Sequence, residues 1–97
     1  MAEIRVEDKD EEAVIRVASG TPAGSLASAI AHAVLPGKPV TLRAVGAGAV
    51  NQGVKGIAIA QTYVGSRGLS LYCRPGFSTV QMKDGPVSAI VLRVEVK

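Results

Sequence analysis

A glycine turn is the first segment whose residue types suit a chemical role. Gly46-Ala47-Gly48 follows a β-branched segment and precedes a segment with helical periodicity. Because free backbone N–H groups at the start of a helix attract anions, this turn is a possible anion-binding site. Asn51, Gln52 and Lys55 follow it and either contact the same anion or cap and solvate the turn. It is not a dinucleotide-binding fingerprint, because Asn51 replaces the third glycine and no acidic residue follows about twenty residues later.

The residue types that most enzymes and metal sites require are scarce. The chain has one histidine, His32, and one cysteine, Cys73, so a zinc site with the usual His and Cys ligands cannot be assembled. A nucleophile with a histidine base needs an orienting carboxylate, but beyond residue 12 the only acidic residues are Asp84 and Glu95. We therefore expect a protein that acts by binding, is not an enzyme, and uses no metal and no cofactor.

Charge is distributed unevenly along the 97 residues. Six of the eight acidic residues lie within residues 1–12, whereas residues 13–97 hold nine basic and two acidic residues, a net charge of +7. Such a basic body favours a polyanionic partner, and the equally open alternative is that basic surface residues only keep a small domain soluble. We expect a cytoplasmic protein, because the chain has a single cysteine and lacks a secretory pattern. We expect no membrane contact, because it lacks a long apolar run.

Hydrophobic periodicity predicts one α/β domain over residues 13–97, preceded by an acidic leader over residues 1–12. The leader is flexible or pairs as an edge strand through Ile4-Arg5-Val6. Within the domain, strands are predicted over 13–18, 39–45, 69–73 and 87–96, and helices end near Leu35 and Gly65. Thr21 is the expected cap of the first helix. Pro75-Gly76 is expected to break the third strand, which resumes over 79–83.

This element order defines the fold class. It is an α+β two-layer sandwich of order βαβαββ, in which two helices lie on one face of a four-stranded mixed sheet. The second helix carries a stripe of small residues, Ala49, Gly53, Gly56 and Ala60. Its interior glycines cost about 1 kcal/mol each relative to alanine, which indicates a close backbone approach. The stripe either packs on the alanine-rich first helix or faces another subunit.

The sheet face without helices is predicted to be positively charged. It would carry Arg16, Arg43, Tyr72, Arg74, Gln81, Lys83 and Arg93, with Glu95 as its only acidic residue. Because arginine binds phosphate through a planar fork and a tyrosine ring can stack on a base, this face suits a nucleic acid strand. The alternative is that the arginines only solubilise the face or line a dimer contact.

The central segment LRAVGAGAVNQGVKGIAIA, residues 42–60, strongly resembles the bacterial stage V sporulation protein S (SpoVS) family, in which the glycine turn, the Asn-Gln pair and the lysine recur in this order. The resemblance covers almost all of residues 13–97. The family is similar in topology to the Alba chromatin proteins. The resemblance therefore implies an Alba-like fold, a homodimer or higher homo-oligomer, and a cytoplasmic, non-enzymatic regulator of sporulation or septation. It also implies DNA or RNA binding through the basic body and a protruding hairpin over about Gln81–Val87.

The expected function is thus a regulatory nucleic-acid-binding module. Its expected binding residues are Arg16, Arg43, Asn51, Gln52, Lys55, Arg74 and Lys83, together with the possible anion-binding turn of Gly46, Ala47 and Gly48. Alba proteins place a lysine before the proline that opens the first helix and arginines around the glycine turn, whereas this chain reads Gly20-Thr21-Pro22 and Val45-Gly46-Ala47-Gly48. Binding is therefore expected to be weak and salt-dependent. The alternatives are a protein-interaction adaptor and a small-ligand sensor that uses the glycine turn.

Overall fold

Alternating apolar residues build a mixed sheet on which two helices pack. The computed structural model describes residues 4, 6–9 and 12–97. Its elements are β1 (Val6–Lys9), β2 (Glu12–Val17), α1 (Ala23–Val34), β3 (Val40–Ala44), α2 (Ala47–Gly65), β4 (Leu71–Met82) and β5 (Gly85–Val96). From β2 onward the order is βαβαββ, which confirms the predicted fold class.

The sheet has the strand order β1-β2-β3-β5-β4. β2 and β3 are parallel, as a crossover through α1 requires, and the remaining neighbours are antiparallel. The short strand β1 adds a fifth strand at the edge. Of the segment Ile4-Arg5-Val6, which was expected to pair there, Arg5 lies outside the described residues, and β1 begins at Val6.

One side of the sheet forms the core. Ile15, Leu42 and Leu92 are aligned across three neighbouring strands and are almost fully buried beneath the helices. Burying each such side chain stabilises the fold by about 1.5–3 kcal/mol. Strand residues alternate between the two faces of a sheet, so the residues between these apolar ones point to the other side. The residues on that other side form the candidate site.

The small residues of α2 allow close packing inside the domain. A Cβ atom on Gly56 would lie 2.6 Å from Cδ2 of Leu26 in α1, and one on Gly53 would lie 3.1 Å from Cδ1 of Leu92. The stripe therefore packs on α1 and on the sheet, which confirms the internal alternative. The other alternative, that it faces a second subunit, is wrong.

Two local predictions are corrected. Thr21 does not cap α1, since Pro22 stands at the cap position without a side-chain hydrogen bond. The Thr21 hydroxyl instead accepts a hydrogen bond from the backbone N–H of Ala18 at 2.8 Å and closes the loop before the helix. Pro75-Gly76 does not break the third strand, because β4 continues through both residues. β4 is an edge strand, and an edge strand needs only part of its N–H groups for pairing, so it tolerates a proline.

Neither helix of the described chain is long and apolar enough to cross a lipid bilayer.

We expect Gly56→Ala to destabilise the protein. The added methyl group would overlap the buried Leu26 side chain, and overpacking costs about 1–3 kcal/mol, which outweighs a gain of up to about 1 kcal/mol in helix propensity. Gly24→Ala is the matched control, because Gly24 lies on the exposed side of α1 and a Cβ atom there meets no atom within 4 Å. Urea unfolding should give a lower midpoint for Gly56→Ala and an unchanged or higher one for Gly24→Ala. Equal midpoints would show that the close approach is absent.

Candidate functional site

Four arginines lie in two adjacent rows on the sheet face opposite the helices. Arg16 is directly opposite Arg43 across the parallel β2–β3 pair, and Arg74 is directly opposite Arg93 across the β4–β5 pair. Arg93 is also opposite Thr41, two residues from Arg43 along β3, so the two rows are neighbours. We call this set of four residues the arginine face. Like charges in directly opposite positions repel each other.

Arg74 has an acidic partner on the neighbouring strand. Nη2 of Arg74 donates a hydrogen bond to Oε1 of Glu95 at 2.7 Å, in a pair whose side chains are 70% and 54% exposed. An exposed ion pair of this kind contributes little stability, so Arg74 is held only weakly. Arg93 extends across β4, where a Cβ atom on Gly76 would lie 3.3 Å from its Nη1. Glu95 therefore offsets one end of the arginine face, and Arg16 and Arg43 lie at the other end.

The β4–β5 hairpin projects beyond the rest of the sheet at this other end. Pairing between β3 and β5 stops at Ala44 and Ile90, whereas β4 and β5 remain paired up to Met82 and Gly85. The overhanging part and the carboxyl ends of β2 and β3 together line a cleft of about 370 Å³. The cleft is lined by Arg16, Val17, Ala18, Ser19, Arg43, Val45, Val80 and Met82. We call it the hairpin cleft.

Arg43 has a buried donor beside this cleft. Its Nε atom is shielded from solvent and makes no hydrogen bond within the part of the chain that the structure describes. A buried polar group without a partner costs about 1–3 kcal/mol, and more when it is charged. Nε is enclosed by the protein, and only the rest of the Arg43 guanidinium group can face the hairpin cleft.

The glycine turn borders the same end of the sheet. Gly46 has φ of +94°, a conformation that favours glycine, and this allows the chain to leave β3 and enter α2 at Ala47. Gly48 packs against the loop after β2, where a Cβ atom would lie only 2.9 Å from Cβ of Ser19. Gly46, Ala47 and Gly48 are exposed. The turn thus directly follows Val45 of the hairpin cleft and holds the start of α2 against the neighbouring loop.

The polar residues after the turn do not join the arginines. Nε2 of Gln52 donates a hydrogen bond to the backbone carbonyl of Thr21 at 2.8 Å and so ties α2 to the loop before α1. Asn51 and Lys55 are exposed on α2, in the helical layer and therefore on the opposite side of the sheet from Arg43. The expected binding residues are thus divided between two sides of the domain.

The hairpin positions two residues, Gln81 and Lys83, differently from the sequence prediction, which placed both on the arginine face. Gln81 was expected on the arginine face, but it alternates with Val80 and Met82 and lies on the opposite face of β4. The reason is that β4 is continuous, so its alternation is not reset at Pro75. Lys83 lies exposed in the two-residue turn between Met82 and Gly85, beside Asp84.

The remaining reactive residues do not assemble a centre. Nδ1 of His32 donates to the backbone carbonyl of Ser28 at 3.0 Å on an exposed part of α1. Cys73 is exposed on β4, but neighbouring atoms partly desolvate its sulfur and raise the pKa of the thiol, which lowers its reactivity. No group of three or more metal-ligating side chains occurs among the described residues.

Sequence reasoning missed the apolar wall of the hairpin cleft. Val80 and Met82 lie on the same face of β4 as Arg74, and uninterrupted alternation along the strand would have revealed this. That these two residues line one cleft with Arg16 and Ser19 depends on how distant strands are arranged in the twisted sheet, and no local pattern encodes it.

Comparisons with known proteins agree with the fold. The family model described as stage V sporulation protein S (SpoVS) matches residues 13–97. The chain belongs to the SpoVS family. Among solved structures it is similar to an Alba protein from Thermoplasma volcanium, with a TM-score of 0.56 and 13% sequence identity, over 84% of this chain and 98% of the Alba chain. At this identity the likeness shows the fold, so this SpoVS chain has an Alba-like fold.

We expect Gln52→Ala to lower the free energy of unfolding by about 0.5–1.5 kcal/mol, because the carbonyl of Thr21 loses its hydrogen bond. Asn51→Ala removes a neighbouring exposed side chain and should change stability by no more than about 0.5 kcal/mol in either direction. Urea unfolding of both variants measures the difference. If Gln52→Ala matched Asn51→Ala in stability, Gln52 would have no structural role and would be available for binding.

Proposed function

We propose that this SpoVS protein is a regulatory module that binds DNA or RNA through the arginine face and the hairpin. The observation that carries the proposal is the position of four arginines on one side of the sheet. Arg16 lies directly opposite Arg43, and Arg74 lies directly opposite Arg93. Glu95 is the acidic partner of Arg74. Positive charges in directly opposite positions repel each other. A polyanion would offset this repulsion and release its counterions on binding.

Residues outside the arginine face have secondary parts in the proposal. Lys83 at the hairpin tip supplies a further positive charge, reduced by the adjacent Asp84. The turn of Gly46, Ala47 and Gly48 offers helix N-terminal amides to a phosphate beside the hairpin cleft. Asn51 and Lys55 would contact a nucleic acid only if it passes around the edge of the domain toward α2. Gln52 positions the loop of Thr21 rather than contacting the nucleic acid.

The family name gives the biological setting of the proposal. The matching model is that of a stage V sporulation protein, so we place this binding activity in the cytoplasmic regulation of sporulation or septation, without enzymatic catalysis. The arginines act as positive groups on a preformed sheet, and no step of this role requires a cofactor.

We expect Arg93→Gln to weaken nucleic acid binding and to reduce its salt dependence. Each lost phosphate contact should lower the slope of log affinity against log salt by about 0.7 for a single strand and about 0.9 for a duplex. Arg67→Gln is the matched control, since it removes the same charge from the exposed turn that follows α2. Fluorescence anisotropy with labelled oligonucleotides, titrated from low to moderate salt, measures both slopes.

Two outcomes of this titration would contradict the proposal. The first is that the unchanged protein binds neither DNA nor RNA at low salt. The second is that Arg93→Gln and Arg67→Gln reduce the slope equally, which would indicate diffuse attraction without a defined face. Either result would favour a protein-interaction adaptor, and a pull-down from lysate with and without nuclease would then identify the partner class.

A second feature favours self-association into a homodimer. On the helix side of the sheet, the helices leave β4 largely uncovered, so that Cys73, Pro75 and Phe77 are exposed while their cross-strand neighbours on β5 are better buried. Phe77 is 81% exposed, which is unusual for a large apolar side chain. A long edge strand with an apolar face also readily pairs with another chain. We therefore propose that this face of β4 forms the contact between two copies.

We expect Phe77→Ala to shift the protein toward the monomer, because it removes the largest exposed apolar group from this face. Tyr72→Ala is the control, since it removes an aromatic ring from the opposite face of the same strand, where the ring is 51% exposed. Sedimentation velocity across a concentration series should show a weaker dimer for Phe77→Ala and an unchanged one for Tyr72→Ala. A wild-type protein that stays monomeric would refute the dimer without affecting the nucleic acid proposal.

A further inference from the structure

The hairpin cleft combines two guanidinium groups with an apolar wall. We infer that it binds one nucleotide of a single-stranded nucleic acid, with the phosphate on Arg16 and Arg43 and the base against Val80 and Met82. This inference rests on the proposed function and deepens it, because it specifies the strand form and the contacts.

The charged part of the cleft suits a phosphate. Arg16 and Arg43 are directly opposite each other on neighbouring parallel strands, so both guanidinium groups reach the same region. Nε of Arg43 is shielded from solvent, so a phosphate in the cleft would meet the terminal nitrogens of this guanidinium group. Among the described residues that line the cleft, the other side chains are apolar or small. A planar guanidinium binds phosphate through two parallel hydrogen bonds, which gives the site orientation as well as charge.

The apolar part of the cleft suits a base. Val45 and Val80 are aliphatic walls, and Met82, which is 47% exposed, has a flexible thioether that adapts to a flat ring. Unstacked bases are commonly held between apolar or aromatic side chains. The volume of about 370 Å³ lies at the small end of the range for ligand sites, so the cleft holds a single nucleotide unit rather than a longer segment.

This combination favours single strands over duplexes. In a duplex the bases are paired and stacked, and extruding one costs a few kcal/mol. A duplex therefore presents only its phosphates to the arginine face, whereas a single strand places a phosphate and a base in the cleft together. The general positive charge attracts both forms, and the apolar wall distinguishes them.

The test is a pair of adjacent substitutions on opposite faces of β4, Met82→Glu and Gln81→Glu. Both residues are exposed near the hairpin tip, and both variants change the net charge equally. Met82→Glu places a carboxylate within the cleft, beside Arg16 and Arg43, whereas Gln81→Glu places it on the other side of the strand. Anisotropy titrations use a labelled twelve-nucleotide thymidine strand and a mixed-sequence duplex of about the same length, and thermal unfolding checks that both variants fold.

We expect the unchanged protein to bind the single strand at least about fivefold more tightly than the duplex. Met82→Glu should lose about tenfold more single-strand affinity than Gln81→Glu, and a clearly smaller excess of duplex affinity, because a carboxylate beside Arg16 and Arg43 weakens the phosphate contacts of both forms but excludes a base only in the single strand. If single strand and duplex bind equally, or if the two variants weaken single-strand binding equally, the cleft inference is overturned while the proposed function stands. If the unchanged protein binds neither form at low salt, the proposed function fails, and the inference fails with it.

Discussion

The parallel register of β2 and β3 is the constraint on which both the core and the candidate site depend. The pairing that aligns Ile15 with Leu42 beneath the helices also aligns Arg16 with Arg43 on the opposite face. Side chains alternate along a strand, so a slip of one residue would drive the guanidinium groups into the core and expose the leucine. Burial of the apolar row therefore holds two positive charges side by side despite their repulsion, and the arginine pair is preorganised by the hydrophobic core.

The second helix also holds the loops around the hairpin cleft in place. Gly53 and Gly56 allow α2 to approach the sheet and Leu26 closely, and Gly48 contacts Ser19. The hydrogen bond from Gln52 to Thr21 fixes the loop before α1 at the same end of the domain. The glycines and the amide of the central motif thus have packing roles, and these roles restrict the same loop that lines the cleft. The motif that identifies the SpoVS family is largely structural in this chain.

The fold of this chain and the positions of its charged residues are independent of each other. The likeness to the Thermoplasma volcanium Alba protein, at 13% identity, concerns the path of the chain. The positive groups of this chain follow from its own strand residues, with arginines on the sheet face and uncharged residues from Val45 to Gly48 at the turn. A shared fold hosts different sites, so the residues of this face have to be tested in this protein.

The order of helices and strands was predictable from the sequence, because alternation of apolar residues and the glycine turn act locally. Proximity of Arg16 and Arg43 also followed, since a strand-helix-strand unit makes the two strands parallel neighbours. The hairpin was less predictable. Continuity of β4 through Pro75 depends on its place at the sheet edge, and the approach of Val80 and Met82 to Arg16 depends on accumulated twist across three strands. Pairing of Arg74 with Glu95 was likewise decided by the register of β4 and β5, a nonlocal property that no segment specifies alone.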